Sequence, residues 1–206
     1  MIRKLLIPIY LLLFVGAAVA QEETDTTFNK IASRIFLPSF DIGYQFSGSD
    51  LIGNSLVAKT SIEYRFRNND DFFIRLSLDT YGAEYNLREI NNTTNNIEGT
   101  VQFNDFLLAP GYRFGDHEFR VLVTAMSGIK TYEFPTADLN GTTITVRQKS
   151  RSIFTSTFLI AGELYFDQKS AVTLSLHYNQ VWKNIDFWED GGGAYGISMG
   201  FITSLL

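Results

Sequence analysis

The chain has no cysteine, only two histidines and, past residue 20, no long apolar run. Without a thiol there is no disulfide, no thiolate metal centre and no residue to carry an acyl anchor. Stability must then come from burial or from a closed hydrogen-bonded sheet. His117 falls in a tight turn and His177 in the middle of a strand, so the two cannot share a metal ion, and no cofactor is expected. A spanning helix needs ~20 consecutive apolar residues; with none beyond the leader, any membrane crossing must be made by strands. An excess of basic residues is missing too. Lys and Arg number 17 against 22 Asp and Glu, a net charge of −5, which argues against nucleic acid as a partner, because such binding is driven by phosphate neutralisation.

What is present begins with a leader. Arg3 and Lys4 give a positive start, Leu5 to Val15 an apolar run, and Ala18-Val19-Ala20 a small-residue cleavage site before Gln21. Residues 1–20 are therefore expected to be a cleaved secretory signal, whose loss takes the net charge from −5 to −7. Residues 21–34 are polar and read as a lead-in; residues 35–206 read as one folded domain.

Within that domain one pattern occurs three times at a spacing near fifty residues. It appears as Glu63-Tyr64-Arg65-Phe66, Gly111-Tyr112-Arg113-Phe114 and Glu163-Leu164-Tyr165-Phe166. Each is followed by a short polar turn and then by alternating residues starting at Phe72, Phe119 and Val172. Strand, tight turn, strand, with aromatics flanking the turn, repeated three times and joined by longer loops, describes an up-and-down antiparallel barrel.

Alternation places eight strands near 35–47, 55–67, 71–85, 100–114, 118–132, 152–166, 170–183 and 193–206. The seventh is the cleanest, with Val172, Leu174, Leu176, Tyr178 and Trp182 on one face and Thr173, Ser175, His177 and Asn179 on the other. The first half of the fourth is irregular. Segments 48–54, 86–99, 133–150 and 184–192, rich in Asn, Thr, Gly and Asp, are expected to be long water-facing loops.

A barrel in water and a barrel in lipid both alternate, and differ only in which face is inside. The apolar faces carry no charge through their central spans, while the other faces combine Ser, Thr and Gly with scattered Arg, Lys and Glu. That suits an apolar exterior and a narrow polar lumen. On these features residues 35–206 resemble the small eight-stranded bacterial outer-membrane barrels, the OmpA/OmpX-like family. The resemblance implies an all-β, eight-stranded antiparallel up-and-down transmembrane β-barrel, monomeric and located in the bacterial outer membrane, with 21–34 a periplasmic segment. It implies outer-membrane lipid as surroundings and the barrel assembly machinery as a partner during biogenesis.

Side-chain expectations follow from the faces. Glu63, Arg65, Arg75, Arg113, Arg120 and Glu163 are expected to form a salt-bridge network in the lumen near the tight turns, because buried charges must pair. A charged conduction path is the alternative, and the mixed signs argue against it. Tyr64, Phe66, Phe72, Tyr112, Phe114, Phe119, Phe166, Trp182 and Trp188 are expected to mark the membrane interfaces. Asp186, Glu189 and Asp190 read as a solvated loop tip. Ser175 and His177 stand two apart, as in outer-membrane lipid A deacylases, but in reverse order and facing the lumen; a hydrogen-bonded lumen histidine is the expected role, and no catalytic residue is assigned. The expected function is non-enzymatic display of surface loops for adhesion, protection or interaction. An accessory subunit of a secretion or uptake complex, docked by loops or wall, is the alternative, and a lipid A-modifying esterase a further one.

Overall fold

A chain whose inward and outward residues alternate can bury one face only by curling the sheet upon itself, and it does so here. The computed structural model describes residues 35–49, 51–66, 69–90, 93–116, 118–140, 143–167, 170–182 and 193–204. The expected signal, the lead-in, His117 and Trp188 with its acidic neighbours lie outside them.

Eight strands make one closed barrel: β1 (Ile35–Ser47), β2 (Ser55–Phe66), β3 (Asn69–Ile90), β4 (Thr93–Gly115), β5 (Phe119–Asn140), β6 (Thr143–Tyr165), β7 (Ser170–Val181) and β8 (Gly193–Ser204). Every neighbouring pair is antiparallel, and β1 pairs with β8 to close the sheet. The tight turns expected from the sequence fall after β2, β4 and β6. After β4 the chain reverses through Gly115, whose φ of 118° lies in the left-handed region that favours glycine.

Two of the four expected long loops are largely strand. β3 and β4 stay paired out to Ile90↔Thr93, and β5 and β6 out to Asn140↔Thr143. Asn, Thr and Asp in segments 86–99 and 133–150 signal exposure to water, but exposure does not break a ladder whose partner strand lies alongside. β3 to β6 therefore have 22 or 23 residues against 12 for β2, β7 and β8. At the base of the extension, Gly53 N donates to the Glu84 carbonyl at 2.8 Å, and Ile52 bridges to Tyr85.

β1 breaks its alternation once. Pro38 pairs with Ile202 and Phe40 with Phe201, so one residue of β1 is extra, and the register with β2 shifts over the same stretch. A bulge at a proline that has no N–H to donate reverses the facing of everything before it. Phe36 consequently points into the lumen while Phe40 and Ile42 point out.

Candidate functional site

The apolar face is outside. Leu56, Leu76, Leu108, Ile160, Leu174 and Met199 are all more than half exposed, whereas Glu63, Arg113, Lys130 and Glu163 are completely buried in the lumen. A protein in water would have these faces exchanged; the arrangement fits lipid outside. The band's upper edge is sharp on β3 to β6. Leu78, Phe106, Ile129 and Phe154 form its last outward row, and Thr80, Asn104, Thr131 and Ser152 the first polar one, with Thr80 donating to Asn104 at 3.0 Å. On β2 the band runs from Leu56 to Phe66. Ten residue steps at ~3.3 Å each, tilted ~40°, give a height of about 25 Å, which is that of an outer-membrane barrel.

The interface aromatics fall where the tight turns are. Tyr64, Phe66, Phe114, Phe119 and Phe166 are exposed, and Phe72 and Tyr112 half-buried. They cluster in pairs: Tyr64 with Phe66, Phe66 with Phe72, Tyr112 with Phe114, and Phe166 with Phe201, at centroid distances of 4.7 to 5.7 Å. Trp182 lies at the opposite edge. Its Nε1 donates to Ser156 Oγ at 2.9 Å, covering an outward polar pair in which Ser127 and Ser156 lie 3.3 Å apart.

Inside, the structure brings five of the six expected network residues into one cluster. Glu63 accepts from Arg65 Nε at 2.7 Å, Arg75 Nη2 at 2.7 Å and Arg113 Nη2 at 2.5 Å. Arg113 Nε donates to Glu163 at 2.8 Å, and Tyr165, which accepts from Arg65 at 3.0 Å, donates to Glu163 at 2.9 Å. Ring faces complete the cluster: the Arg65 guanidinium lies 3.5 Å from the centroid of Phe36 and that of Arg113 lies 4.2 Å from Phe73. Arg120 stands at the rim. It is cross-strand from Glu163, but its guanidinium donates to the Asp116 carbonyl at 3.3 Å, lies 3.9 Å from Asp71 and sits 5.7 Å from the Tyr165 ring. Its position, one step from the turn, keeps it at the rim, outside the Glu63 cluster.

A second polar cluster sits midway up. Asp105 accepts from Lys130 at 2.7 Å and from Asn179 at 3.2 Å, and Lys130 also donates to the Tyr81 hydroxyl. Lys59 is 3.7 Å from Asp79, which accepts from Ser77 at 2.8 Å. Sequence reasoning missed Asp105, because the first half of β4 shows no clean alternation. Above this cluster lies a layer equally unforeseen. Tyr81, Phe103, Tyr132 and Phe134 stack across the lumen at centroid distances of 4.8 to 5.9 Å, packed with Ile52, Val57 and Val181. Phe103 on that irregular half and Phe134 in a presumed loop gave no signal of facing inward.

His177 differs from expectation. Its ring lies over Gly196, where an added Cβ would come within 2.2 Å of it, and neither ring nitrogen has a hydrogen-bond partner. Ser175 pairs instead with Ser198, at 2.5 Å. A nucleophile needs its base within hydrogen-bonding reach, so this pair is not arranged as serine and general base. Among the described residues no group of His, Asp or Glu is placed to hold a metal ion.

No protein-family model and no curated protein sequence matches the chain. Solved structures do. Neisserial surface protein A superposes with a TM-score of 0.58 at 12% identity, over 83% of this chain and 97% of that one. The outer membrane protein OprG from Pseudomonas aeruginosa superposes with a TM-score of 0.55 at 7% identity, over 84% and 96%. At such identities the likeness is one of fold, and the fold is the small eight-stranded outer-membrane β-barrel.

Proposed function

We propose that this protein is a non-catalytic barrel of the bacterial outer membrane whose work is done by two hairpins held outside the cell. The observation that carries this is the surplus length of β3 to β6. At one end only, these strands run past the polar row of Thr80, Asn104, Thr131 and Ser152 as paired ladders, about ten residues beyond it on each side. In lipid those residues would be wasted; in water they hold two stiff arms at a fixed distance from the membrane.

The filled lumen supports the same reading. Five buried cations (Lys59, Arg65, Arg75, Arg113, Lys130) face five acids (Asp41, Glu63, Asp79, Asp105, Glu163), so the interior favours neither sign of charge, and the ion pairs and aromatic layer occupy the cross-section. An eight-stranded barrel has room for side chains and little more.

The test removes the arms and keeps the barrel. A variant in which residues 87–96 and 137–146 are each replaced by a two-residue turn should still run as a compact band on unboiled gels. It should lose adhesion to surfaces and any partner that co-purifies with the full chain in near-equal amount. Retention of that partner by the shortened barrel would sink the display reading and assign the contact to the lipid-facing wall.

A further inference from the structure

The outer parts of the two hairpins have strand edges of three different kinds. On β5 the edge toward β4 is interrupted by Pro135. That residue pairs with Gln148 of β6 and has no N–H to offer on its other side, and the β4–β5 ladder ends just before it, at Gln102↔Glu133. On β3 the edge is taken as far as Tyr85 by Ile52 and Gly53. The β6 edge is open. β7 pairs with β6 no further out than Thr155↔Val181, and the last link is Trp182 N donating to the Phe154 carbonyl at 3.5 Å. From Thr143 to Ile153, β6 pairs among the described residues with β5 alone.

Backbone groups along a strand point alternately to its two sides. Phe154 directs its carbonyl toward β7, so Ser152, Ser150, Gln148 and Val146 present N–H and C=O on that same open side. No proline interrupts the run. The residues between them carry charge of one sign. Arg147 and Lys149 are exposed, and Arg151 is half-buried with its guanidinium 5.9 Å from the Phe134 ring. Directly opposite these three on β5 stand Thr136, Phe134 and Tyr132, while Asp138 falls one step further out, against Thr145.

Residues two apart on a strand repeat every ~6.6 Å, a spacing that acids at alternate positions of an added strand would match. A second copy of this chain fits badly: antiparallel pairing about Lys149 sets Arg147 against Arg151, like charge on like.

We propose, building on the display reading above, that the β6 edge from Val146 to Ser152 takes up an extended segment of a partner protein with Asp or Glu at every second residue. The segment adds as a strand beside the β5–β6 arm. Backbone hydrogen bonds supply the affinity, and the three cations select an acidic strand while keeping neutral and basic ones away.

The probe is a synthetic peptide in which Glu alternates with Thr, added to the full chain in detergent micelles while amide exchange is followed by NMR. Without peptide, the amides of Val146, Gln148 and Ser150 should exchange freely, and those of Arg147 and Lys149, bonded to β5, slowly. The peptide should slow the first set roughly tenfold or more and leave the second unchanged. An isomer with all its Glu in one block, and dextran sulfate, should do neither. Gln148→Pro, which removes one outward N–H and none from the β5 ladder, should keep the compact unboiled band and bind the peptide about tenfold more weakly. Lys149→Glu should weaken binding by a similar factor and shift preference to a peptide alternating Lys with Thr. Slow exchange at Val146, Gln148 and Ser150 in the free protein would overturn the proposal, as would equal slowing by the block isomer. Tight binding of dextran sulfate with no effect of the alternating peptide would assign the cations to a polyanion instead. Failure of the peptide on the wild type sinks the edge alone; retention of a partner by the shortened-arm variant sinks the display reading beneath it.

Discussion

Single residues carry unequal burdens in this barrel, and Glu63 carries one of the largest. Its two oxygens serve three guanidiniums, all of them buried away from water. Glu63→Gln leaves buried arginines under-compensated, a change that typically costs about 3–5 kcal/mol. The expected outcome is a lower midpoint of urea unfolding in lipid vesicles. Gly128 carries a steric burden: a Cβ there would lie 1.8 Å from the Phe106 carbonyl oxygen, and backbone cannot step aside. Gly128→Ala should cost about 3 kcal/mol or more and abolish the compact band on unboiled gels. Gly162→Ala, whose Cβ would meet only the edge of the Phe119 ring at 3.3 Å, should retain it. At this scale the sequence was readable where a residue's neighbours two positions away agreed with it. Arg65, Arg75 and Arg113 stand on clean alternating runs, and their facing followed directly. Phe36 lies beyond a bulge and Phe103 on an irregular run, so neither could be assigned a side. The pairing of Ser175 with Ser198 depends on the β7–β8 register, which no local pattern reveals.

For the strands, the test is depth in the lipid. An arginine on the lipid face costs about 2–4 kcal/mol near the midplane and about 0–1 kcal/mol at the interface. Ile160 lies well inside the band, and Ser152 in the first polar row above it. Ile160→Arg should therefore destabilise the folded barrel strongly in vesicles and Ser152→Arg hardly at all; equal effects would mean that the band edge is misplaced. Strand number and order were legible from periodicity, since each run of alternation marks one crossing. Strand length was not. Composition separates residues in water from residues in lipid, while the ladders between Gly82 and Gly99 and between Glu133 and Ser150 are set by a partner strand that no single segment can announce.

For the whole molecule, orientation is the claim most open to measurement. Val146, exposed on the β5–β6 arm, and Asp167, in a tight turn, lie at opposite ends of the barrel. Each can be replaced by a lone cysteine. A membrane-impermeant maleimide applied to intact cells should label Val146→Cys and not Asp167→Cys; the opposite pattern would turn the molecule over.

Closure by β1 against β8 has a consequence for how the molecule comes into being. Seven of the eight strand pairings join neighbours along the chain, so each can form as soon as its second strand has emerged. The eighth joins the two most distant strands and must wait for all the others. Until then β1 and β8 are both open edges, ready to accept any strand nearby. A half-built barrel is therefore at its most adhesive just before completion, when the two edges face each other across a gap. Escort is needed most at that moment, and a slip of one residue at that single seam would set lumen-facing residues of one strand against lipid-facing residues of the other.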